Sequence, residues 1–153
     1  MFRCLSASLC SMLVLLLVTT SSSVSAVHHL QARLGQTVLL PCRAPSSGSI
    51  RAAEWSRPDQ ELEYVFFYRD GQPDETQQHP SFQNRVELAD RQMKEGNLSV
   101  ILKDVISSDA GTYECRVKVG TAAHVKRAVI KSEAISTVHL TVEPSVQHIS
   151  TLS

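Results

Sequence analysis

The sequence predicts an all-β sandwich. Short apolar runs alternate with turn residues from Thr37 to Val142, and within those runs apolar side chains recur at every second position. Two cysteines, Cys42 and Cys115, fall in such runs 73 positions apart. No stretch of useful length carries the apolar period of a helix.

Thr37 to Cys42 reads as a strand with Val38, Leu40 and Cys42 on one face. Arg51 to Arg57 is a second, with Ala53 and Trp55 facing in. Tyr64 to Tyr68 is a third, ended by the turn pair Asp70-Gly71. Arg85 to Leu88 is a short strand. Leu98, Val100 and Leu102 alternate inward on the next, and Tyr113, Cys115 and Val117 on the one after. Asp104 to Ala110 between them has room for one helical turn. Ser136 to Val142 closes the set, with Val138, Leu140 and Val142 in step. Gly120 to Glu133 lacks a clear period, and its centre reads as a loop.

The ends read differently. Arg3 supplies a positive charge, Met12 to Val18 an apolar core, and Val24-Ser25-Ala26 small residues, the three parts of a secretory signal peptide. The apolar core is far short of the ~20 residues needed to span a bilayer. The expected division is therefore a signal peptide over 1–26, one domain over 27–143 and a polar tail over 144–153, with a secreted or cell-surface product. Cys4 and Cys10 leave with the signal. Cys42 and Cys115 remain as an even pair in an oxidising compartment.

Composition limits the function. Fifteen basic residues balance fifteen acidic ones, so nothing suggests a nucleic-acid partner. His28-His29 are adjacent, and His79, His124, His139 and His148 are scattered. None has a carboxylate or cysteine at ligand spacing, so no metal is expected. No nucleophile elbow, zinc-protease motif or phosphate loop occurs, so neither enzyme activity nor a cofactor is expected.

Trp55 between Cys42 and Cys115 matches the immunoglobulin signature, in which a bridge joins the two sheets and an indole packs on it. Tyr113, two before the second cysteine, occupies the tyrosine-corner position. Asp109-Ala110-Gly111-Thr112-Tyr113-Glu114-Cys115 resembles the Asp-x-Gly-x-Tyr-x-Cys motif of variable-type immunoglobulin domains. The resemblance implies two antiparallel sheets in a Greek-key sandwich, a Cys42–Cys115 disulfide and an ion pair between Arg85 and Asp109. The segments Trp55-Ser56-Arg57-Pro58, Val65 to Gln72 and Phe82 to Leu88 resemble the butyrophilin and myelin-oligodendrocyte glycoprotein group, relatives of the T-cell costimulatory ligands. The chain departs from that group in ending soon after the last strand with no apolar span. It departs from antigen receptors in lacking Phe-Gly-x-Gly, having Lys131 to Ser136 instead.

The resemblance implies a protein-binding domain, of an immune-regulatory ligand or receptor that meets a counter-receptor on another cell. The alternative is adhesion by pairing with a second copy. If Val65 and Phe67 face the core, Tyr64, Phe66 and Tyr68 point outward as interface anchors. Some of these rings could instead fill the core or cover a sheet edge. Glu54, Ser56, Glu114 and Arg116 would form a polar rim. Lys126, Arg127 and Lys131 place positive charge in the loop before the last strand, which either steers an acidic partner or simply keeps the loop solvated. Asn97-Leu98-Ser99 is a glycosylation sequon, expected on the sheet opposite the binding face.

Overall fold

A computed structural model describes residues 24–45, 49–60, 63–120 and 132–145. All of the expected signal peptide before residue 24, most of the tail and the basic loop with Lys126, Arg127 and Lys131 lie outside the described residues.

Nine strands form two sheets. β1 is Ala26–Arg33, β2 Val38–Leu40, β3 Ile50–Arg57, β4 Glu63–Arg69 and β5 Gln72–Pro73. β6 is Val86–Leu88, β7 Val100–Leu102, β8 Gly111–Val119 and β9 Ser136–Glu143. The larger sheet runs β1-β9-β8-β3-β4-β5 and the smaller β2-β7-β6. All pairings are antiparallel except β1 with β9, which run parallel over eight residues. Among the described residues, helix is limited to short 3-10 turns, one of them Ser107–Asp109 within the expected stretch.

Alternation builds the core. Ala53, Trp55, Tyr113, Cys115, Val117, Val138 and Leu140 enter from the larger sheet, and Leu40, Leu88, Val100 and Leu102 from the smaller. Cys42 and Cys115 are joined by a disulfide across the two layers. Trp55 lies beside Cys115 in the register and is 1% exposed. Its indole N–H donates to the Leu98 carbonyl at 3.0 Å, so the ring is buried with its polar edge satisfied.

One end of the sandwich is closed by charge. Arg85 and Asp109 form an ion pair, and the Asp109 carboxylate also accepts the Ile106 N–H at 2.8 Å. The Tyr113 hydroxyl donates to the Asp109 carbonyl. Burial pushes that phenol well above its ordinary pKa, so it stays a neutral donor. Arg57, 2% exposed, lies 5.2 Å above the Tyr113 ring and donates to the carbonyls of Ser108 and Ala110, each at 2.7 Å.

Two features differ from the sequence expectation. β1 has no clear apolar alternation of its own and acquires its place by pairing with β9. In β4 the register shifts: Trp55 faces Phe66 while Ser56 faces Tyr64, which leaves Val65 as the extra residue of a bulge. Val65 and Phe66 therefore both enter the core, and every later side chain changes face. Phe66 and Tyr68, expected outward, are core residues at 5% and 7% exposure, and Phe67, expected inward, packs on the outer face with Ala52 and Tyr64.

Candidate protein-binding face

The outer face of the larger sheet collects side chains that point away from the core. β3 contributes Ala52, Glu54 and Ser56, β4 Tyr64 and Phe67, and β8 Glu114 and Arg116. The rings of Tyr64 and Phe67 meet at 5.4 Å with a 50° tilt. The Arg69 guanidinium lies 5.9 Å from the Phe67 ring centre and pairs with Asp74 at 2.7 Å. Phe67 is 6% exposed, so the half-buried Tyr64 and Arg69 are the accessible members of this group, and Phe67 is the ring that holds Tyr64 in place.

Arg116 organises the polar half. It pairs with Glu114, lies 3.9 Å from the Glu54 carboxylate and donates to the Ser56 hydroxyl at 3.3 Å and the Ser132 carbonyl at 3.0 Å. Glu54 is only 1% exposed although it faces away from the core. Burial, then the nearby Glu54 charge, raises the Tyr64 phenol above its ordinary pKa. Tyr64 thus presents a neutral hydroxyl donor beside a buried carboxylate.

Of the expected anchors, the structure brings Tyr64 and Arg116 to this face and moves Phe66 and Tyr68 into the core. Phe67 and Arg69 belong to the face and were not singled out, because the bulge that turns them outward depends on pairing with β3. Asn97 lies just before β7 of the smaller sheet, half-buried, with its side-chain oxygen accepting the Ser99 N–H. The Ser99 hydroxyl is bonded to the Cys42 backbone, donating to its carbonyl and accepting its N–H. His29 stacks on His139 at 5.0 Å across β1 and β9, and the Thr112 hydroxyl lies 3.1 Å from His139 Nδ1. No group of three or more potential metal ligands occurs among the described residues.

Two disulfide-linked sheets, a buried indole between them and an outer face that carries Tyr64 beside paired charged groups define an immunoglobulin-like recognition module. The chain belongs to the immunoglobulin V-set family, whose model matches residues 26–143. Human myelin-oligodendrocyte glycoprotein is 33% identical over 116 residues, covering 70% of this chain and 47% of that protein. Mouse programmed cell death 1 ligand 1 is 31% identical over 104 residues, covering 65% of this chain and 34% of that protein. The chain thus spans about half the length, or less, of these curated relatives. The solved structure of bovine butyrophilin superposes with a TM-score of 0.58 at 25% identity, over 77% of this chain and 53% of that one. No helix among the described residues is long and apolar enough to cross a membrane.

Proposed function

We propose that this domain is the recognition module of an immune-regulatory protein of the extracellular space or cell surface, and that it binds a protein counter-receptor through the outer face of the larger sheet. The observation that carries the reading is the juxtaposition of the half-buried Tyr64, backed by Phe67, with the Glu54–Arg116–Glu114 cluster on one face of the larger sheet. An apolar centre with a polar rim of paired charges is the anatomy of a protein interface. Arg116 is already oriented by two carboxylates and a hydroxyl, so little ordering remains for a partner to impose. Relatives that are by name ligands of a cell-surface receptor support the same direction.

The test is a screen of the full chain against displayed lymphocyte surface proteins, with Tyr64→Ala and Arg116→Glu as variants. A receptor whose binding falls at least tenfold with either variant supports the reading. A receptor indifferent to both would move the site elsewhere. The same face could pair with a second copy of this chain through a two-fold interface. Light scattering over a concentration series decides: a dimer lost on Tyr64→Ala would replace the co-signalling reading with adhesion.

A further inference from the structure

β6 is an edge strand of the smaller sheet, paired on one side only, with β7. Its hydrogen-bonding parity follows from its flanks. Lys103 N–H donates to the Arg85 carbonyl at 2.8 Å and Ala89 N–H to the Ser99 carbonyl at 2.9 Å. Residues 85, 87 and 89 therefore direct their backbone groups toward β7, and residues 86 and 88 direct theirs away from it. No hydrogen bond to the backbone of Val86 or Leu88 occurs among the described residues.

Those outward amides and carbonyls border a cleft of about 520 Å³ between β6 and the β4–β5 hairpin of the other sheet. Phe66, Phe67, Tyr68, Val86 and Leu88 contribute apolar walls of the cleft, Phe67 being the one residue it shares with the outer face, and Glu87 and Lys103, ion-paired at 3.0 Å, also line it. The volume is within the range of ligand-binding clefts, roughly 300–1,000 Å³. The facing wall cannot self-pair with β6: its edge strand β5 is two residues long and ends in Pro73, which has no N–H to give. β6, three residues long, has no proline and keeps both its outward N–H groups.

We propose that the β6 edge and this cleft form a second binding site, separate from the outer face, that takes an extended peptide strand by sheet augmentation. The backbone row and the cleft are satisfied together only by a strand; a compact small molecule would fill the cleft and leave the row unused. Strand residues opposite Val86 and Leu88 turn their side chains into the cleft, so these are apolar. The residue between them lies beside Glu87 on the solvent side, where a basic side chain joins Lys103 in pairing with the two oxygens of that carboxylate. The ligand is a segment reading apolar, basic, apolar.

The probe is the capped peptide Thr-Val-Lys-Val-Lys-Val-Thr, titrated into the full chain and followed by amide NMR and hydrogen exchange. Shifts confined to residues 86–88 and the cleft walls are expected, with slowed exchange at the Val86 and Leu88 amides. Val86→Pro removes an outward donor and leaves the β7 ladder intact, and should weaken binding at least tenfold, while Tyr64→Ala should not change it. Glu87→Lys should reverse the preference toward a peptide with Glu in place of Lys. This variant also decides the matter if Val86→Pro fails to fold. Shifts centred on Tyr64, Glu114 and Arg116, no binding at millimolar peptide, or equal binding of the Lys and Glu peptides to the native chain would overturn the proposal.

Discussion

At the scale of single residues, the closed end of the sandwich is where one atom matters most. Gly111 has φ of 147°, and a Cβ there would fall 2.3 Å from Arg57 Nη2. Gly111→Ala should therefore lower stability by about 2 kcal/mol or more, read as a shifted urea midpoint. Asp109→Ala should cost about 3 kcal/mol, because it leaves a partly buried Arg85 and the Ile106 N–H without their acceptor. Two other carboxylates set the acid behaviour. The Thr76 hydroxyl, with its N–H and Arg69 in support, holds Asp74 below the ordinary carboxylate pKa against the opposing effect of burial. For Asp59, burial pushes upward and is outweighed by the bonds and charge of Arg57. A folded-state pKa below the unfolded one means the unfolded chain takes up protons first. The stability these groups contribute is present above pH 3.8 and is lost as pH falls through the folded values. Asp74→Asn should flatten part of that acid slope in urea midpoints measured from pH 2 to 6; an unchanged slope would refute the assignment.

Among the elements, β4 decides which aromatic rings enter the core between the sheets and which pack on the outer face of the larger sheet. Phe66 is a core residue and Phe67 an outer one, so Phe66→Ala should cost about 3 kcal/mol. Phe67 is itself only 6% exposed, so Phe67→Ala should also destabilise, whereas Tyr64→Ala, at a half-buried ring, should cost clearly less than Phe66→Ala and weaken receptor binding more. Reversed stability effects, measured side by side in urea, would sink the bulged register. The same strand marks the limit of what the sequence discloses. Tyr64 to Tyr68 are five apolar or aromatic residues in a row, so no period-two signal can show which face each takes. The bulge is a property of the pair β3–β4 and not of either strand alone. β1 was illegible for a similar reason: His28 and His29 interrupt its apolar pattern, and only the distant β9 recruits it. In contrast, Trp55, Tyr113 and Asp109 were legible from their spacing to the two cysteines, and Arg85 only through the family resemblance. Of the binding face, the charged members on β3 and β8 could be read from plain alternation, while Phe67 and Arg69 could not.

For the whole molecule, the Cys42–Cys115 bridge closes a loop of 73 residues between the two sheets. In the chain-entropy picture such a closure stabilises by about 4 kcal/mol. The double variant Cys42→Ala, Cys115→Ala should lose about that much by denaturant titration, a large share of what a domain of this size has. The parallel pairing of β1 with β9 has a different kind of consequence, a mechanical one. Ala26 lies opposite Ser136 and Arg33 opposite Glu143, so tension applied between Ala26 and Glu143 runs along the two strands in opposite directions. Such a load shears the whole row of bonds at once and does not peel them one by one. Pulled through those two points in a force spectrometer, the domain should yield in one high-force event, whereas a grip at Ala26 and Ser136, at the same end of the row, should open it at much lower force. A surface protein strung between two moving cells would carry, in these strands, a clasp that holds best along the direction in which it is tugged.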